Sequence, residues 1–467
     1  MYISLSVELL LKYAVNHGLI EGLDIVLCRN LLLDELGVSH PFEGEIDTTD
    51  NLDTILAPIL DYAYESGFIK ENTTTQRDLF EGKLMGILTP RQKQVECTFR
   101  SIEKNQGVEA ATGYFHSLSS VTNYIKTERI KKNLKWKYKT NFGDIDITIN
   151  LSKPEKDPKD IAAALNDKGS GYPKCLLCVE NVGFAGHLNH PARQNHRVIP
   201  ITLDGENWYL QYSPYAYYDE HCIPLCGEHR PISITHSTFE KLLDFLERFP
   251  HYFVGSNADL PIVGGSILNH DHFQGGKGGF PIESAKTLKQ YMLGDVKAEI
   301  IRWPMSVIRL KSGSRVQIAE AADIVLNTWR KYEDKSVGII PYSEGVPHNT
   351  VTPIARINAW GEYEMDLVLR NNRTNTEYPD GIFHPHPHIH HIKKENIGLI
   401  EVMGLAILPG RLAEEVQKLQ GDERKKKEES IGAGFLEALM HAGVYKIDNI
   451  GLAAFIKFMQ ACGAKEI

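Results

Sequence analysis

DLPIVGGSILNHDHFQGG (259–276) places His270, His272 and Gln274 at every second position, between the pairs Gly264-Gly265 and Gly275-Gly276. In an extended chain successive side chains point to opposite faces, so these three share one face. Imidazole is uncharged near neutral pH and can attack phosphorus without first losing a proton. A carboxamide can donate to a phosphoryl oxygen without competing as a nucleophile. Flanking glycines let a ligand or another backbone approach closely. A pair of structural or metal-binding histidines beside a glycine-rich turn is the competing reading, and the glycines with Gln274 weigh against it.

Outward from this stretch, the chain has 467 residues, 42% hydrophobic and 24% charged. This is ordinary globular usage, with ample length for a buried core. Lys+Arg number 51 and Asp+Glu 60, a net charge of −9. Nucleic-acid affinity rests on neutralising phosphates, so a broad nucleic-acid surface is excluded as a partner and any phosphate site is local. IKKNLKWKYK (130–139) is read as solvated surface. Seven cysteines are too few and too scattered for a disulfide framework and point to a reducing compartment, the cytoplasm. No apolar run reaches the roughly 18 residues of a membrane helix.

Residues 1–139 are expected to be a helical extension. In NLDTILAPILDYAYESG, Leu52, Ile55, Leu56, Ile59, Leu60 and Ala63 recur at helical spacing. Thr89-Pro90 is read as an N-cap and first-turn proline. From 140 the pattern changes to short strands (DIDITINL, RVIPITL, NWYLQYS, HCIPL, HYFVGS, VTPIARIN, EYEMDLVLRNN), with helices at 235–249, near 410–420 and near 447–461. GDERKKKEES (421–430) is read as a loop or exposed helix face. The expected class is α+β: a helical front, then a mixed body.

The 259–276 stretch resembles the signature of the class II galactose-1-phosphate uridylyltransferases, members of the histidine-triad superfamily with its His-x-His-x-Gln strand. FHPHPHIHHIKKENIGLIEVMGLAILPGRL (383–412), YPKCLLCVEN (172–181), TINLSKPEKDP (148–158) and WYLQYSPYAYYDEHC (208–222) resemble the same family. The resemblance implies a duplicated antiparallel histidine-triad-like body, with residues 140–290 as the nucleotide half and 291–467 as the sugar-phosphate half. It also implies an exchange in two steps through a covalent uridylyl-histidine, between UDP-glucose/UDP-galactose and hexose 1-phosphates, in a homodimer. His272 maps onto the nucleophile and Gln274 onto the phosphoryl-oxygen donor. Each leaving group is already a phosphate, so no general acid is required, and no organic cofactor is expected. Another histidine-triad-type nucleotidyl transferase or phosphorylase is an alternative, as is a non-catalytic zinc- or nucleotide-binding module.

Cys175-x-x-Cys178 has zinc-knuckle spacing. In class I relatives a Cys-x-x-Cys, a distant histidine and the first histidine of His-x-His bind structural zinc in that chain order, which here gives Cys175, Cys178, His229 and His270. Two reduced core thiols are the alternative, with His270 then only a hydrogen-bonding neighbour of the substrate. Cys222 and Cys226 are read as core. Substrate contacts are assigned to Lys153 and Lys156 for phosphate, Ser213 for a phosphoryl oxygen, and Arg370 and Asn372 at a strand end. His384, His386, His390 and His391 are read as pocket wall rather than a metal tract, Lys393 and Lys394 as partners of a sugar phosphate, and Glu401 as a contact to sugar hydroxyls. Class I enzymes carry Gly-Tyr-Glu where this chain has Gly404-Leu405-Ala406, so sugar contacts transfer least directly.

Overall fold

The computed structural model describes residues 3–46, 51–152, 159–160 and 171–467. Lys153 and Lys156 lie outside the described residues. The chain divides into two compact units. The first holds 1–132, 152–201 and 209–216; the second holds 133–151, 202–208 and 217–467.

The first unit contains the helical front, which gives way to a strand at 134, and it also takes in 152–201 and 209–216, segments expected in the nucleotide half. Its helices include Ile3–Asn16, Asp24–Glu35, Leu52–Glu65, Thr74–Leu88, Gln92–Gln106 and Val108–Val121. In Leu52–Glu65 the buried positions are the six apolar residues at helical spacing, and Asn51 caps the helix by accepting from the Thr54 N–H. Thr89 does not start the next helix. Its hydroxyl donates to the Met85 carbonyl, closing the helix before it, and the next begins at Gln92 after Arg91. Pro90 removes a donor at that junction, which ends one helix as readily as it starts another.

The strands in chain order are β1 (Leu134–Thr140), β2 (Gly143–Ile149), β3 (Ile199–Leu203), β4 (Glu206–Tyr212), β5 (Cys222–Cys226), β6 (Phe253–Gly255), β7 (Gln274–Gly276), β8 (Thr287–Leu293), β9 (Val296–Ile301), β10 (Val307–Ser312), β11 (Tyr342–Ser343), β12 (Val346–Pro347), β13 (Asn349–Ile357), β14 (Tyr363–Asn371), β15 (Leu405–Leu408) and β16 (Lys465–Glu466). In the second unit a sheet runs β16-β8-β9-β10-β14-β13-β6-β7-β5. Its strand pairings are antiparallel, as the α+β expectation required. Helices His236–Arg248 and Arg315–Trp329 pack on this sheet and on each other. Thr235 caps the first of them, and its own N–H is held by the Thr238 hydroxyl.

A smaller sheet, β1-β2-β15, lies in the same unit. In β1, Lys135, Lys137 and Lys139 are exposed, while Trp136 and Tyr138 pack on a core that contains Ile145, Ile147 and Ile149 of β2. The basic run is therefore one face of a strand. GDERKKKEES opens the helix Gly421–Ala442, whose far half sends Phe435 and Leu439 into the same core. Among the described residues no helix is long and apolar enough to cross a membrane.

Candidate active site

The His-x-His-x-Gln segment is only partly a strand. β7 starts at Gln274, while His272 makes a single bridge to Leu225, and the N–H groups of Cys226 and Phe273 donate to Asp271 and Pro224. The expected alternation holds nonetheless. Asp271 and Phe273 are both directed toward the β4 side: Asp271 binds Arg230, which also binds Glu206 of β4, and Phe273 stacks on Trp208 of β4 at 4.7 Å. His270, His272 and Gln274 are left on the opposite face.

The glycines admit backbone. A Cβ on Gly275 would come within 2.6 Å of the Phe253 carbonyl oxygen, and one on Gly264 within 2.5 Å of the Ala258 oxygen.

His272 is 6% exposed, and its Nδ1 lies 2.7 Å from the His270 carbonyl oxygen. A carbonyl only accepts, so Nδ1 carries the proton and Nε2 the lone pair. Burial lowers the imidazole pKa to about 4, which keeps the ring neutral at pH 7. His270 is oriented by the same logic. Its Nε2 lies 2.9 Å from the Cys226 carbonyl oxygen, which puts the lone pair on Nδ1, and its ring meets that of His229 edge-on at 5.2 Å. In the first unit the sulfurs of Cys175 and Cys178 lie 3.5 Å apart in a tight turn tied down by the Asn181 amide. Two thiolates on one tetrahedral zinc stand about 3.8 Å apart at a 2.3 Å bond length, so the thiol pair fits that ion. Cys222 and Cys226 are buried in β5, as expected.

Gln274 has a partner the sequence did not suggest. His221, buried just before β5, places Nε2 at 3.2 Å from the Gln274 carboxamide oxygen. Burial depresses its pKa to about 3.

The remaining candidates fall into groups. Asn396 and Asn257 join the 383–412 block to the signature: the Asn396 amide donates to the Gly264 carbonyl, and the Leu399 N–H donates to Asn257. His384 reaches Asn396 at 3.3 Å. His386 is stacked between Tyr378 and His441, His390 donates to the Pro385 carbonyl, and His391 is exposed. His388 meets Glu437 on the helix 421–442. The His441 Nδ1 accepts from the His386 N–H, which puts its proton on Nε2, toward Glu437, and argues against a metal on that nitrogen. Lys393 is buried with its ammonium on Glu401 at 2.8 Å, so two residues read separately as substrate contacts are each other's partners. Lys394 is exposed. Arg370 is 1% exposed, donates to the Ile397 carbonyl and the Thr352 hydroxyl, and burial lowers its pKa to about 10. Asn372 accepts from the His348 Nδ1. Ser213, in the first unit, is buried with its hydroxyl accepting from the Tyr215 N–H.

Comparison with known proteins places these residues in a family context. Residues 36–231 match the family described as "Galactose-1-phosphate uridyl transferase, N-terminal domain", and residues 245–430 match its C-terminal domain. The chain is 51% identical to the galactose-1-phosphate uridylyltransferase of Caldanaerobacter subterraneus subsp. tengcongensis, over 99% of this chain and 98% of that relative. It is 48% identical to the Bacillus subtilis protein of the same name, over 98% of each. Among solved structures, yeast Ap4A phosphorylase Apa2 in complex with Ap4A aligns at a TM-score of 0.39 and 11% identity, over 76% of this chain and 97% of that one.

Proposed function

We propose that this chain, which belongs to the galactose-1-phosphate uridylyltransferase family, moves UMP from UDP-glucose to galactose 1-phosphate through a covalent uridylyl-histidine. The observation that carries this reading is the His272 tautomer. Nδ1 is held by the His270 carbonyl, which leaves the Nε2 lone pair as the nucleophile. Nε2 attacks the α-phosphorus of UDP-glucose. The bond from that phosphorus to the bridging oxygen breaks, and glucose 1-phosphate departs with the electron pair. A phosphate oxygen of galactose 1-phosphate then attacks the same phosphorus, the P–N bond breaks, and UDP-galactose forms. The Gln274 amide would donate to the phosphoryl oxygen as charge moves onto it, so catalysis is positioning and charge stabilisation.

The test uses UDP-glucose labelled in the α-phosphate, with no acceptor. Acid-labile, base-stable label on the protein is expected, discharged by galactose 1-phosphate. Label that never appears under turnover conditions would sink the reading.

On the chain order of the family resemblance, Cys175, Cys178, His229 and His270 are proposed as the ligands of a structural zinc. The thiol spacing and the His270 tautomer both suit it, and the ion would fix the backbone whose carbonyl holds His272. Dialysed protein is expected to keep about one zinc per chain, and Cys175→Ser to lose it and melt at lower temperature. Wild-type protein without stoichiometric zinc ends this assignment. Lys153, Lys156, Ser213, Arg370, Asn372, Lys394, His384, His386, His390 and His391 remain proposed substrate contacts. A homodimer in the cytoplasm completes the reading; seven scattered cysteines suit that compartment.

A further inference from the structure

His221 lies just before β5 and is flanked by Tyr218, with ring centroids 4.3 Å apart, and by Tyr217 at 5.5 Å. The β5–β7 register pairs Cys222 with Gly275, so Gly276 stands opposite His221 and Gln274 is its diagonal neighbour. A Cβ at 276 would come within 2.6 Å of the Glu220 carbonyl oxygen and 3.0 Å of the Tyr218 ring, so glycine there lets the backbone beside His221 approach β7 closely.

Hydrogen-bond logic then sets the direction of each bond. The backbone N–H of Tyr217 points at the His221 Nδ1 at 3.4 Å. A backbone N–H only donates, so Nδ1 holds the lone pair and Nε2 the proton. That proton needs an acceptor, and the atom 3.2 Å away must be the carboxamide oxygen of Gln274. The two ends of a carboxamide have nearly the same shape, so Gln274 alone has two orientations of similar fit. Only one presents N–H to an anionic oxygen; the other presents a repelling carbonyl.

We propose that His221 is a positioning residue for uridylyl transfer: its Nε2–H holds the Gln274 oxygen, so that the Gln274 amide nitrogen is the group offered to the phosphoryl oxygen. This rests on the reading of Gln274 as the phosphoryl-oxygen donor. His221 acts through Gln274.

The experiment measures kcat and KM for full-length His221→Phe, His221→Gln, Gln274→Ala and the double variant His221→Phe/Gln274→Ala, with melting temperatures for each. His221→Phe keeps the ring and removes the donor. It is expected to lower kcat by about 10- to 100-fold, with KM changed by no more than about 2-fold, because the lost interaction develops in the transition state. His221→Gln restores an N–H donor and is expected to recover most of that loss. In the Gln274→Ala background, His221→Phe is expected to cost nothing further, because the two residues act as one unit. If His221→Phe does not fold, His221→Asn, whose amide stops short of Gln274, carries the same comparison. Wild-type kcat in His221→Phe beside a crippled Gln274→Ala overturns the role of His221 and leaves that of Gln274 intact. Additive losses, or a His221→Gln variant no better than His221→Phe, overturn it as well. Full activity in Gln274→Ala overturns the reading of Gln274 itself.

Discussion

His272→Ala is expected to lower turnover by at least about a thousand-fold and to abolish the protein-bound label from UDP-glucose. The reason lies in the two-step exchange. Without Nε2 there is no covalent intermediate, and the two sugar phosphates would have to occupy the nucleotide site together. His272→Gly leaves a hole shaped for imidazole, so added free imidazole is expected to restore part of the nucleotidyl transfer. Fold should survive either substitution, since among the described residues the polar contact of this ring is a single hydrogen bond from Nδ1. A His272→Ala protein that still takes up acid-labile label would remove His272 from the mechanism.

The second large effect concerns stability. Asp366 in β14 is fully buried, with a bidentate Arg309 at 2.7 and 3.0 Å and Arg356 at 2.9 Å. Burial alone would raise its pKa, but the two guanidiniums outweigh that and hold it below the ordinary carboxylate value. Asp366→Ala leaves the buried Arg309 and Arg356 with Glu364 as the carboxylate they share, and is expected to cost about 3–5 kcal/mol, read from denaturant unfolding with unchanged m. The sign of the pH dependence follows. A depressed folded pKa stabilises at pH above the unfolded value of about 3.9, and the contribution is lost as pH falls through the folded value. Wild-type protein should therefore lose more stability than Asp366→Asn on acidification below about pH 4. Equal acid sensitivity in the two proteins would contradict the network.

Much of the fold was legible in local pattern. Helical spacing marked Leu52–Glu65, and the alternation of Ile145, Ile147 and Ile149 marked β2. Other elements carried signals that went unread. Leu293-Gly294-Asp295-Val296 joins the hairpin of β8 and β9, with Gly294 at φ +60°. Ser314 caps the helix Arg315–Trp329, whose Ile318, Ala321, Ala322, Val325, Leu326 and Trp329 recur at helical spacing. Helix Gly421–Ala442 begins with ten mostly charged residues, so its apolar face emerges only after 430. Thr89-Pro90 was ambiguous because the same dipeptide closes one helix and opens another.

By itself the sequence determined the shared face of His270, His272 and Gln274, because alternation along an extended segment is a property of the chain alone. It also determined the family, through motifs whose order survives in the linear text. Only the tertiary structure decided the partners. His221 is 53 residues from Gln274, Glu401 neutralises Lys393, and Asp366 meets Arg309 from another strand. Periodicity says which way a side chain points, whereas hydrogen-bond direction and pKa depend on what lies opposite, and that is set by strand order and register. The dense histidine tract at 384–391 drew attention by composition. The sparser His270–His272 pair gains its chemistry from carbonyls that fix each tautomer, and no count of histidines could reveal that.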